Sequence, residues 1–135
     1  MILADTSAWV EYDRATGSAA ARRMHQLIAD DGPLYVTEPV LMEVLAGARN
    51  DAREGDLRRL LLSRGWLAVD PVADFEAAAR AYRRCRQVGV TPRGLLDCLI
   101  ATVAWRNGAA LLAQDVDLAR IAPVLGVELD AATGR

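Results

Sequence analysis

Lysine is absent from this 135-residue sequence, so all 16 basic residues are arginine. Phosphotransfer domains of the response-regulator kind look to a lysine to read the phosphoryl group, and that class is disfavoured. No glycine-rich loop of the Walker kind occurs, which argues against nucleotide hydrolysis. A phosphatase with an aspartate nucleophile is weakened too, because Asp5-Thr6-Ser7 lacks a second acid two residues on. Cysteine is scarce: Cys85 and Cys98 are too few for a disulfide framework. They also lack the close Cys/His neighbours of a thiolate zinc site, and read as small apolar residues on helices. The one histidine, His25, lies in a polar helix far in sequence from the acids discussed below. Aromatics make up only 5%, so the core must be built mainly of Leu, Val, Ile and Ala. The longest apolar region, 95–113, is broken by Asp97, Arg106 and Gly108, and does not read as a membrane span. The chain opens on Met1-Ile2-Leu3-Ala4, which reads as a strand rather than a signal peptide. A cytoplasmic protein with no membrane segment is therefore expected.

What is present fits one globular domain over 1–135, at 53% hydrophobic and 25% charged residues. The net charge of −2 argues against a protein that coats nucleic acid non-specifically, and leaves a local basic surface open. Arginine suits bidentate phosphate contacts, although genome base composition is the plainer account of its exclusive use.

Short apolar runs alternate with longer helical segments, the pattern of an α/β fold with a parallel sheet. Strands are expected at 1–5, 34–36, 66–69, 110–113 and 127–129, and helices at 7–14, 17–31, 37–48, 51–64, 72–88 and 91–107, with a short helix before the last strand. Thr37 is a possible N-cap, and Gly108 is placed to end its helix. In the 72–88 helix, Phe75, Ala78, Ala79 and Tyr82 are expected to face inward. The expectation is a central sheet of four to five short parallel strands with helices on both faces.

Four acids sit in or against apolar runs, where ionised carboxylates are rare unless paired or bound. Asp5 follows Met-Ile-Leu-Ala, Glu43 lies in Pro-Val-Leu-Met-Glu-Val-Leu-Ala, Asp97 in Leu-Leu-Asp-Cys-Leu-Ile-Ala, and Asp115 closes Ala-Leu-Leu-Ala-Gln-Asp. Each has a plainer reading. Asp5 reads equally well as a helix N-cap, Asp115 as a turn residue, and Glu43 or Asp97 as a satisfied buried acid. Asp117 reads as a helix cap or as a further ligand. Together they converge. Asp5 and Asp115 end strands, Glu43 lies early in a helix leaving a strand, and Asp97 starts a helix that feeds a strand. All four fall at the carboxyl edge of the sheet, where open α/β sheets place ligands. Clustered carboxylates repel, and a divalent cation relieves the conflict. An all-oxygen donor set suits Mg²⁺ or Mn²⁺ rather than Zn²⁺, and such ions support phosphodiester hydrolysis.

Four segments carry a resemblance. They are Ile2-Leu3-Ala4-Asp5-Thr6-Ser7-Ala8-Trp9, Glu43-Val44-Leu45-Ala46-Gly47, Thr91-Pro92-Arg93-Gly94-Leu95-Leu96-Asp97-Cys98-Leu99-Ile100-Ala101, and Gly108-Ala109-Ala110-Leu111-Leu112-Ala113-Gln114-Asp115-Val116-Asp117-Leu118. In this order and spacing, across nearly the whole chain, the sequence resembles PIN-domain ribonucleases of the VapC toxin type. The resemblance implies a PIN-like fold and an RNA-cleaving toxin. Asp5, Glu43, Asp97 and Asp115 would be its catalytic acids, with metal at Asp5, Asp97, Asp115 and Asp117. It further implies Mg²⁺ or Mn²⁺, support from Thr6 and Ser7, a homodimer, and a cognate VapB-type antitoxin. Ala113 departs from the family, which often carries Ser or Thr there. Arg93, just before Asp97, is the candidate for an RNA phosphate contact. The remaining arginines, crowded at 49–64 and 80–86, read as solvated helix faces. Trp9 and Tyr12 read as core packing or as an antitoxin contact. The competing reading is a PIN-fold module that binds RNA or a partner with little or no cleavage.

Overall fold

The computed structural model describes residues 1–133. Its elements follow as β1 (Ile2–Ala4), α1 (Thr6–Asp13), α2 (Ala19–Ala29), β2 (Leu34–Val36), α3 (Glu38–Ala46), α4 (Asp51–Leu62), β3 (Gly65–Trp66), α5 (Pro71–Gln87), α6 (Leu95–Asn107), β4 (Ala110–Leu112) and α7 (Val116–Leu125). The strands form one parallel sheet in the order β3-β2-β1-β4. Leu3, Ala4, Val36, Leu111 and Leu112 are wholly buried. Burial on both faces explains why these strands read as continuous apolar runs instead of alternating ones.

The connections position the site. From β1 to β2 to β3 the chain moves steadily toward one edge, then returns past β1 to place β4 at the other. Right-handed crossovers therefore lay α1 to α4 on one face of the sheet and α5 and α6 on the opposite face. The direction reverses between β1 and β4, the place where such sheets open a crevice at their carboxyl ends. Ala4 pairs with Leu112 across that boundary.

Four expectations need correction. The strand expected at 66–69 is only Gly65–Trp66. The Val69 N–H and the Trp66 indole N–H each donate to the Glu38 carboxylate at 2.7 Å, which takes this stretch away from the ladder. Gly65 is needed where it is: a Cβ there would lie 2.5 Å from the Tyr35 ring. The strand expected at 127–129 reduces to a single parallel bridge from Leu129 to Leu111.

The third correction concerns the helix expected from residue 91. It begins at Leu95, because the Arg93 N–H donates to Asp117 at 3.0 Å instead of entering a helical turn. The fourth concerns the inward stripe of α5, which is Asp74, Ala78, Ala81 and Cys85, while Phe75 is 58% exposed and Ala79 is also exposed. Asp74 is tolerated inside because Arg106 of α6 donates to both its oxygens, at 2.8 and 2.7 Å. The fork holds the Asp74 carboxyl below its ordinary range, against the opposing effect of burial.

Other expectations hold. Gly108 ends α6 in the left-handed region, at φ 65°. Cys85 and Cys98 are buried free thiols on α5 and α6. Trp9 is wholly buried, with Tyr12 edge-on to it at 6.2 Å. Among the described residues, no helix is long and apolar enough to cross a membrane.

Candidate active site

Asp5 emerges from β1 and is pinned to its neighbour: its N–H donates to the Leu112 carbonyl at 2.9 Å. Its side chain caps α1. One oxygen, Oδ2, accepts the Ser7 N–H at 3.2 Å and the Ser7 hydroxyl at 2.8 Å. The other, Oδ1, is buried with no hydrogen-bond partner among the described residues. The Ser7 Oγ in turn accepts the N–H groups of Gln114 and Asp115 at 2.9 and 3.1 Å. One hydroxyl thus joins the turn after β1 to the turn after β4. The adjacent Thr6 hydroxyl donates to Glu43 Oε1 at 2.6 Å, so the two hydroxyls following Asp5 serve different carboxylates.

Asp115 caps α7, its Oδ1 accepting the Asp117 N–H at 2.8 Å. The same oxygen accepts the Arg93 guanidinium at 2.8 Å. Asp117 lies in the first turn of α7, 6% exposed, and its Oδ2 takes the Arg93 N–H. Asp97 lies in the first turn of α6.

These acids feel one another. The Asp97 carboxyl is pushed up to about 7, first by burial and then by the charges of Asp5, Asp115, Asp117 and Glu43. Asp5 is raised by burial, with a small push from Glu43, against the lowering effect of the Ser7 hydrogen bonds. The donors are all oxygen, one buried Asp5 oxygen has no partner, and the net local charge calls for a cation. On these grounds the residues fit a hard divalent ion. Their spacing is looser than a chelate: among the described residues, no three His, Cys, Asp or Glu side chains stand close enough together to hold a metal as they are.

Every site residue expected from the sequence therefore falls in one neighbourhood, at the carboxyl edge beside the reversal in strand order. The cap role offered for Asp117 belongs to Asp115 instead. Sequence reasoning missed the Ser7 bridge, since nothing local ties residue 7 to residues 114 and 115. It also missed that the Arg93 guanidinium rests on Asp115. His25 stands apart, against the Tyr12 ring at 4.6 Å between centroids.

Comparison with known proteins agrees with this architecture. The family model for the PIN domain matches residues 2–123. The chain belongs to the PIN domain family. Ribonuclease VapC11 of Mycobacterium tuberculosis is 44% identical over 129 residues, covering 95% of this chain and 96% of that protein. A VapC ribonuclease of Mycobacterium bovis matches to the same extent. This PIN domain also superposes on VapBC from Salmonella typhimurium, solved bound to DNA. That match has a TM-score of 0.73 at 17% identity, and covers 99% of this chain and 98% of the other. VapBC2 from Rickettsia felis, bound to a DNA fragment from its promoter, gives a TM-score of 0.70 at 21% identity, covering 96% and 98%. At such identities the structural likeness speaks for the PIN fold alone.

Proposed function

We propose that this protein is a metal-dependent endoribonuclease toxin that hydrolyses RNA phosphodiesters and is neutralised by a cognate VapB-type antitoxin. A single folded unit over 1–135 and a cytoplasmic setting belong to the same reading. The observation that carries it is the gathering of Asp5, Glu43, Asp97, Asp115 and Asp117 at one crevice, in a chain 44% identical to proteins named as VapC ribonucleases.

Asp5, Asp97, Asp115 and Asp117 would hold Mg²⁺ or Mn²⁺, and among the described residues Asp5 Oδ1 has no hydrogen bond to give up. When bound, the cation supplies positive charge to stabilise a phosphodiester under in-line attack. Ser7 fixes the Asp5 carboxylate and the backbone that carries Asp115. Thr6 holds Oε1 of Glu43, leaving Oε2 to take a proton from water. Arg93 is exposed on the outer side of Asp115, where its guanidinium reaches a phosphate by leaving that carboxylate.

The test is cleavage of total RNA by purified, antitoxin-free protein with Mg²⁺ or Mn²⁺, beside EDTA. Discrete fragments that vanish with EDTA are expected. Absence of cleavage by well-folded protein would favour the RNA- or partner-binding module, with Ala113→Thr as the next protein to assay.

The same reading includes a homodimer. Met42 of α3, Phe75 of α5 and Leu95 of α6 are each more than half exposed. Met42 and Phe75 line one groove together with Pro71, Leu96 and Leu99. A second copy covering this apolar face would remove it from water. Phe75→Asp is expected to convert a dimer to a monomer in sedimentation analysis without lowering the unfolding midpoint of the monomer. A dimer that survives the change places the interface elsewhere.

A further inference from the structure

On the face opposite α1 to α4, a groove runs between α5, α6 and α7, lined by Arg80 and Arg84, Thr102 and Trp105, and Val124 and Leu125. Trp105 is 60% exposed, which is unusual for the largest apolar side chain unless something rests on it. Among the described residues, no carboxylate lines the groove. Among the described residues, Arg80 meets only Glu76, at 3.7 Å with both side chains well exposed, and Arg84 pairs with no acid. An exposed indole beside two nearly unpaired guanidiniums is the chemistry that binds single-stranded nucleic acid: a ring on which a base stacks, and forks that take phosphates.

The groove also leads to the acids. Helices α5 and α6 run antiparallel, locked at one end by the Asp74–Arg106 fork. At the other end Cys85 lies within the field of Asp117, which raises its thiol in addition to the larger effect of burial. Counted from that fork, Arg84 lies ten residues along α5 and Asp97 nine along α6, about 15 and about 14 Å by helical rise, so Arg84 stands near the level of the acidic crevice. Arg80 lies one turn below it, about 6 Å along the axis. Trp105 lies eight residues along α6 from Asp97, about 12 Å by helical rise. The order Trp105, Arg80, Arg84, crevice is a positive track leading to a negative site.

We infer that this groove is an accessory binding site for a single-stranded segment of the RNA, with a base stacked on Trp105 and its phosphates on Arg80 and Arg84. The inference rests on the ribonuclease reading for its choice of ligand. An acidic peptide segment is the other occupant the groove's charge would admit. RNA is favoured because the aromatic face is open and the track continues to the catalytic acids.

The experiment is binding, not cleavage, so that it stands apart from the test of the ribonuclease reading. Full-length Asp97→Asn protein is titrated with a single-stranded RNA of about a dozen nucleotides, followed by tryptophan fluorescence and by anisotropy of labelled RNA. Adding Trp105→Ala is expected to weaken binding about tenfold and to remove most of the quenching, and Trp105→Phe to restore most of the affinity. Arg84→Gln is expected to lower the slope of log affinity against log salt by about 0.7, the loss of one phosphate contact on a single strand. RNA affinity unchanged by Trp105→Ala would overturn the inference. So would a loss that phenylalanine does not recover, or a Trp105→Ala protein that loses antitoxin binding but keeps RNA.

Discussion

Asp97→Asn is expected to end RNA cleavage and to make the cation-free protein more stable above neutral pH. Both effects come from the same carboxylate. Its charge is held among four others in a half-buried crevice, and its pKa rises from 3.8 to about 7. A folded state that binds this proton more tightly than the unfolded chain loses stability as pH rises from 3.8 to about 7. Above that range the full cost of the ionised group remains. Because Asp97 is only partly buried, solvent screening reduces that cost to on the order of 1–2 kcal/mol. Asparagine keeps the shape without the charge, so the variant should lack this part of the pH dependence. Urea midpoints at about pH 5 and about pH 8, in chelator, measure it. Wild type should fall between the two, and the variant should fall less.

Adding Mg²⁺ at the higher pH should raise the wild-type midpoint and leave the variant's nearly unmoved. Cleavage should drop by more than about a hundredfold, beyond what loss of a group merely supporting a metal ligand costs. A variant that cleaves RNA at the wild-type rate would remove Asp97 from the site. Identical pH profiles would mean that a different group carries the strain.

Ser7→Ala is the second large effect expected, a loss of about 2–4 kcal/mol of stability together with about a hundredfold of activity. The hydroxyl gives its proton to Asp5 and receives two backbone N–H groups, from Gln114 and Asp115. Alanine leaves both N–H donors without this acceptor in a part-buried turn, and each such loss costs about 1–3 kcal/mol. It also frees the Asp5 carboxylate to turn and lets the α7 entrance drift from β1. Thr6→Val should be milder, since among the described residues the Thr6 hydroxyl bonds Glu43 alone, which lies on a different helix. Denaturant unfolding with the cleavage assay separates them. A Ser7→Ala protein within about half a kcal/mol of wild type would show that the bridge contributes little.

The sequence shows most plainly what burial dictates. The runs around Asp5 and Asp115 are strands because both sheet faces are covered, and no alternation is needed to find them. Asp97 and Glu43 are conspicuous because their helical neighbours are apolar. What stays hidden is decided by partners distant in sequence. Phe75 looks inward by composition, yet α5 turns Asp74 inward because Arg106, 32 residues on, completes that acid. The strand after Gly65 stops where Glu38 captures the Val69 N–H. The loop before α6 looks helical from Thr91-Pro92 and is held open by Asp117. In each case a polar group found a partner that local propensity cannot weigh. The Ala113 departure is local and visible, and the structure adds that its side chain is wholly buried and its N–H donates to the Thr133 hydroxyl at 3.2 Å.

Ser7 bonds partners that lie 107 and 108 positions away in sequence, and that has a consequence for synthesis. Strand β1 can complete its pairing, and Asp5 can meet Asp115, only after residues 110–115 have left the ribosome. At about 5–20 residues per second, the first acid waits about 5–20 seconds for its counterpart. A nascent chain, or one cut short by a premature stop before Asp115, carries the first carboxylate without the last. On the ribonuclease reading, the machinery that makes this protein is safe from it until Asp115 has emerged and met Asp5. An antitoxin has that same interval in which to be ready.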